Sequence, residues 1–417
     1  SPMQMIHYKK QVLDSRFYQN EICMGYQTFG SANAFGNISG RPEYFLYGWT
    51  GQALKLSWCE CILGLVTEEK FRLERGIRTA DFFVRNGESI TEGLYKGYYL
   101  PDTDTWQGDW KNQKAALSSR IEGESISDLL DIMLLLQEKR CEVPPDWERA
   151  VKRVCHFLMD PDRQTLDGIY PMEWQVDGTI LSHELCAAGM PCVLVLVKAS
   201  EYFGCPEYLK YAQEKYSKYA SYHMETFDIP FAGATMDARC EDKEAGIYFF
   251  VVAAEIYRLT RDPHYRQWAE IAADWILTFV FFWETGFQKG TACANHDFCT
   301  TGWPGVSVQN HHLDVFFPTY ELYSFGKLCG NARLIEMSRH ISDAFTYGIC
   351  TKEGEWGYHV VGEQGEQYYQ THYFQVPYPI LLKYLKNFRG GMQVWNPSWI
   401  TAQVMSSALK FCYGEDQ

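Results

Sequence analysis

Residues 245–279, AGIYFFVVAAEIYRLTRDPHYRQWAEIAADWILTF, hold the pattern that decides the fold. Ile247 to Ala254 is an apolar run unbroken by charge, and a helix apolar on all sides is a buried one. Arg261-Asp262-Pro263 then stops it: Asp262 reads as an N-cap and Pro263 as the first residue of the next helix. That next stretch, Tyr265–Phe279, sets Trp268, Ile271, Ala272 and Trp275 on one face, an amphipathic helix. A buried helix, a tight turn and a half-buried helix make an antiparallel hairpin with an inner and an outer member.

The unit repeats along the chain. Tight turns at Val66-Thr67-Glu68, Cys141-Glu142-Val143-Pro144, Gly204-Cys205-Pro206 and Cys329-Gly330-Asn331 also separate apolar-periodic stretches. The inner members read as Gly48–Val66, Ile126–Leu136, Leu185–Phe203, Ala245–Leu259, Val306–Phe325 and Ser398–Phe411. Outer members include Phe71–Val84 and, in the last pair, Pro377–Phe388. Long connections at 87–122, 161–182, 225–240, 284–304 and 349–376 lie between hairpins. Long structureless loops in a compact domain are usually functional. Six hairpins with every long loop at one end describe a closed ring, an all-α (α/α)6 toroid over residues 44–417 with its active face at that end. Residues 1–43 show no helical period and read as a non-helical arm or the remnant of an upstream domain.

Composition narrows the partners. The net charge of −14 disfavours nucleic acid, whose affinity rests on neutralising phosphates. The longest apolar run, Trp275–Trp283, is too short to span a membrane. The 14 cysteines are scattered, many of them in helical stretches, as reduced buried thiols would be. With no basic segment leading into an apolar stretch at the start, the expectation is a cytoplasmic protein. No zinc spacing occurs among the cysteines, and His311, His312 and Asp314 lack an i, i+4 histidine pair, so no metal or other cofactor is expected.

Polar and aromatic residues gather where the long loops run into the inner helices. Met236–Gly246 (MDARCEDKEAG) and Trp303–Asp314 (WPGVSVQNHHLD) carry most of them. With the hairpin architecture, these segments resemble the six-hairpin glycosidase superfamily. That group includes unsaturated glucuronyl and rhamnogalacturonyl hydrolases, with sugar 2-epimerases and some polysaccharide lyases on similar toroids. The resemblance implies a carbohydrate substrate and acid–base chemistry.

Glycoside hydrolysis requires two carboxyl groups, one protonated and one ionised. Candidates are Glu124, Glu241, Glu244 and Asp314, with Glu124 facing Glu241 across the ring as the preferred acid–base pair. Acidic residues ahead of Ala245 also suit a helix N-terminus, so Asp242 can cap while Glu241 faces the cavity. His311 is a candidate for orienting substrate or for acid–base work. Flat rings stack on sugar C–H faces, which nominates Trp49, Trp106, Trp174, Trp303, Trp356 and Trp395. Glu173, Asp237, Arg239, Asn310, Tyr358 and His372 are the accompanying polar contacts. Arg239, Lys243, Lys111 and Arg120 could meet a uronyl carboxylate. The leading expectation is a hydrolase of a short oligosaccharide, uronyl sugars included. The rivals are an epimerase or lyase using His and Tyr, and a non-catalytic toroid that binds a partner.

Overall fold

A computed structural model describes residues 1–29, 43–108, 116–226, 228–234, 240–287, 289–290, 292–307, 313–365 and 396–414. Twelve long helices occur among them: α1 (Pro2–Arg16), α2 (Ala53–Val66), α3 (Lys70–Asn86), α4 (Ser119–Glu138), α5 (Pro145–Met159), α6 (Met190–Phe203), α7 (Pro206–Ala220), α8 (Lys243–Thr260), α9 (Pro263–Leu277), α10 (Thr319–Cys329), α11 (Ala332–Ala344) and α12 (Ser398–Tyr413). The even-numbered helices form an inner ring. Each packs on the next, and α12 returns to α2, which closes the circle. Outside it α3 lies on α2, α7 on α6, α9 on α8 and α11 on α10, while α5 packs against α3 and α6. This is the expected (α/α)6 toroid.

Local chemistry explains the short turns. Gly204 and Gly330 take the left-handed conformation (φ 62° and 68°) that ends α6 and α10, where a Cβ would be strained. Prolines at the first positions of α5, α7 and α9 restart the chain at no cost in hydrogen bonds. Asp262 caps α9 through His264 N at 2.9 Å. Short antiparallel strands stitch the long connections together. Ala116–Ser118 pairs with Glu173–Gln175, which ties the loop before α4 to the loop before α6.

Two expectations about elements are corrected. Pro2–Arg16, expected to be non-helical, is a fifteen-residue helix packed along α12, in the position of a sixth outer member. Its inward face is Met5, Ile6, Lys9, Val12, Leu13 and Arg16, which is helical spacing. Two of those six are cations, and that hides the apolar period. Both are satisfied inside: Lys9 donates to Gly362 O (2.9 Å) and Gln364 Oε1 (3.0 Å), and Arg16 pairs with Glu363 at 3.2 Å. The outer member expected at Pro377–Phe388 lies outside the described residues. The fifth inner helix starts at Thr319, not Val306. Pro318 disfavours helical geometry at the residue before it, so Val306–Ser307 and Leu313–Phe317 stay extended or irregular.

Candidate active site

The N-terminal ends of the inner helices meet at the long-loop end, and one arginine organises them. Arg120, in the first turn of α4, is fully buried. Its Nε donates to Glu124 Oε1 one turn along at 3.0 Å, its Nη1 donates to Glu244 Oε2 at the start of α8, and Nη1 also reaches Ala234 O at 3.1 Å. The indole of Trp49 stacks against the guanidinium at 4.1 Å, with the rings of Tyr248 and Phe316 at 5.6 and 5.9 Å. Glu124 accepts two further bonds, from Thr50 N at 2.8 Å and from the Tyr248 hydroxyl. Arg120 thus holds carboxyl groups from two different inner helices on one planar fork.

A second charge pair abuts the first. Lys243 Nζ meets Asp314 Oδ1 at 2.5 Å with both side chains buried, and Phe316 N donates to the same oxygen at 3.0 Å. Asp242 caps α8, accepting from Ala245 N at 2.5 Å and Ala234 N at 3.2 Å. Four carboxyl groups (Glu124, Asp242, Glu244, Asp314) therefore share the cluster with two cations, all buried. Burial pushes the Glu124 carboxyl up to about 7 against the pull of Arg120. Burial and the neighbouring Glu244 charge push Asp242 to about 7, and burial does the same to Asp314 despite Lys243. Several acids here are poised near neutral pH, which suits proton transfer.

Close approach of helices makes this possible. A Cβ on Gly123 would run into the backbone of Pro191 and Cys192, so glycine lets α4 sit directly on the start of α6. Below the cluster lies an axial cavity of about 100 Å³, lined from all six inner helices and reached by Glu124 and Tyr248.

The expected site residues fall into three groups. Glu124, Glu244, Asp314 and Trp49 come together. Glu241 does not join them: it is half-buried, its backbone bridged to Ala232, and Glu244 takes the place expected for it. The remaining described candidates are built into the framework. Trp106 packs in an aromatic stack with Tyr47 (5.4 Å) and Phe82 (5.8 Å). Trp174 is fully buried and its indole N–H donates to Arg163 O at 2.9 Å, while Glu173 pairs with Ser118 in the strand beside it. Trp303 packs on Phe345, Trp356 stacks on His296 at 4.1 Å, and Tyr358 is buried. Asp237, Arg239, Asn310, His311, His372 and Trp395, with Lys111 and His312, lie outside the described residues. Sequence reading missed the role of Arg120 as the bridge and of Tyr248 as a partner of Glu124. For Arg120 a signal was available in its i, i+4 spacing to Glu124; Tyr248 lies 124 residues from its partner and gave none.

No protein-family model matches the chain, and no curated protein matches its sequence. Solved structures do match in fold. The chain is similar to cellobiose 2-epimerase from Spirochaeta thermophila, with 11% identity, a TM-score of 0.61 and coverage of 98% of this chain and 96% of that one. It is similar to a D-mannose isomerase at 11% identity and a TM-score of 0.59, over 99% and 98% of the two chains. A GH76 α-mannanase of Bacteroides thetaiotaomicron matches at 12% identity and 0.58, over 99% and 96%. At such low identity these likenesses establish the architecture: the chain has the toroidal fold that the six-hairpin glycosidases share with sugar epimerases and isomerases.

Proposed function

We propose that this protein is a carbohydrate-active enzyme working by general acid–base catalysis, with Glu124 and Glu244 as its acid–base pair and hydrolysis of a glycosidic bond as its reaction. One observation carries the reading: two carboxyl groups from different inner helices share Arg120, and one of them holds its proton to about pH 7. A protonated acid with a second carboxyl group beside it is the pairing that glycoside cleavage uses. The named activities of the similar structures, mannanase, epimerase and isomerase, support a sugar as substrate.

A neutral sugar fits better than a uronate. Arg120 and Lys243, two of the cations suggested for a uronyl carboxylate, are already held by Glu124, Glu244 and Asp314.

A second reading is favoured by the epimerase and isomerase folds: the same pair moves a proton at carbon instead of cleaving a bond. Incubation with neutral oligosaccharides and reducing disaccharides in D2O separates the two. Hydrolysis gives new reducing ends, whereas isomerisation leaves the mass of the sugar framework intact and introduces deuterium at carbon. Glu124→Gln should abolish either activity with the fold retained, and a fully active variant would remove the assignment.

A further inference from the structure

The axial cavity under the cluster is not a dead end. A second cavity of about 820 Å³ occupies the short-turn end of the ring, between the C-terminal halves of the inner helices. Asp131, Lys198, Val251, Glu321 and Lys410 border both cavities and form their common boundary.

Down one side of the axis runs a single face of α4. Glu124, Asp128 and Asp131 stand at i, i+4 and i+7, all three lining the 100 Å³ cavity. At 1.5 Å of rise per residue these steps are about 6 and 4.5 Å along the axis. Asp128 pairs with Lys55 at 2.9 Å through Oδ1, but its Oδ2 is buried with no partner among the described residues. Asp131 pairs with Lys198 at 2.6 Å and faces the rear cavity. The cavity has room for water, and the unpaired buried carboxylate oxygen on its wall calls for one.

We propose that the axis of the ring is a hydrated proton path from the rear cavity to Glu124, relayed by Asp131, Asp128 and the water between them. It rests on the reading of Glu124 as a proton donor. Glu124 is only 7% exposed and lines the axial cavity, so the axis is its route to solvent. At each step an O–H bond of the donor breaks as one forms on the acceptor. The net change is one proton taken from solvent at the rear and one O–H bond made on Glu124, with no electron transferred.

The test needs no substrate. The protein is mixed rapidly into D2O at slightly acid pH, and the carboxylic C=O infrared band that Glu124→Gln lacks is followed as it shifts on deuteration. Val251→Phe thickens the shared wall without touching an ion pair, and should slow this exchange at least tenfold. Ser127→Val narrows the same cavity from α4 and gives an independent reading should the first variant not fold. Exchange within twofold of wild type in a folded variant overturns the path and leaves Glu124 as the acid. If the wild type has no band sensitive to Glu124→Gln, the acid assignment itself fails, and the path with it. A crystal structure resolving water in the cavity, bridging Asp128 Oδ2 towards Glu124, would add direct support; a dry cavity would overturn the proposal.

Discussion

Two layers of the ring use the same side-chain types to opposite ends. At the long-loop end four carboxyl groups crowd two cations, and Glu124, Asp242 and Asp314 are pushed up to about 7, chiefly by burial. Deeper along the axis three carboxylates meet three lysines one to one: Lys55–Asp128 (2.9 Å), Lys198–Asp131 (2.6 Å) and Lys410–Glu321 (2.8 Å). There burial is outweighed at two positions, where Lys198 and Lys410 hold Asp131 and Glu321 below the usual carboxylate range. Each of these pairs also joins two different inner helices. Stoichiometry makes the difference: matched charges keep Asp131 and Glu321 ionised, while a surplus of acid leaves carboxyl groups of the upper layer protonated near neutral pH.

If that division is right, variants in the two layers should fail differently. The largest effect is expected for Glu124→Gln, with turnover falling about 10²–10⁴-fold, the usual contribution of a general acid. Its melting temperature should hold, since a neutral amide replaces a carboxyl group that is itself protonated below pH 7. Arg120→Met should instead unfold the front layer. Removing the partner of two buried carboxylates costs about 3–5 kcal/mol, measurable by denaturant unfolding. Gly123→Ala tests the close approach of α4 to α6, and overpacking there should cost about 1–3 kcal/mol. In the lower layer Lys410→Met removes a pair whose side chains are about a quarter exposed, and about 1 kcal/mol is expected. An equal loss of stability for Arg120→Met and Lys410→Met would erase the contrast.

Stability against pH sharpens it further. Glu124, Asp242 and Asp314 hold protons to about 7 in the folded chain but titrate near 4 when it unfolds. Between those values the native state binds more protons, so their contribution is fully present below about pH 4 and is lost as the pH rises through 7. Each group adds a slope of up to about 1.4 kcal/mol per pH unit. Unfolding free energies at about pH 5.5 and 7.5 should fall accordingly, and Glu124→Gln should flatten the decline by one group's share.

Much of the toroid was legible because its local and global signals agree. Ile247–Ala254 has no charged face to expose, and Asp262-Pro263 can only restart a helix. Where a polar side chain occupies a buried position the pattern fails, as at Lys9 and Arg16 in α1. Pro318 sets the start of α10 more firmly than the apolar residues before it, which moved Asp314 from a helix to a loop. At the site, Glu124 and Glu244 could be named from their helix starts and Arg120 from its spacing to Glu124, but not the reach of Arg120 to Glu244, because that contact spans 124 residues of sequence. The tryptophans were legible as important and not as to why. Indole rings serve cores and sugar platforms equally well, and only burial and the bond from Trp174 to Arg163 O tell them apart.

The position of α1 has a consequence for how the molecule assembles. Arg16 is bonded to Asn396 O at 3.0 Å, and the helix that carries it packs on α12. Made before every other helix of the ring, α1 therefore finds its partner only after α12 has been made. Closure of the ring joins residues nearly the full length of the chain apart, a contact of the highest sequence separation, and such contacts form late and slowly. Until then Met5, Ile6, Val12 and Leu13 are uncovered, along with the α12-facing edge of α2. Nascent chains are therefore exposed to aggregation for as long as the helices between α1 and α12 are being made, and a chaperone that shields α1 should raise the yield of closed rings more than one acting on any internal hairpin.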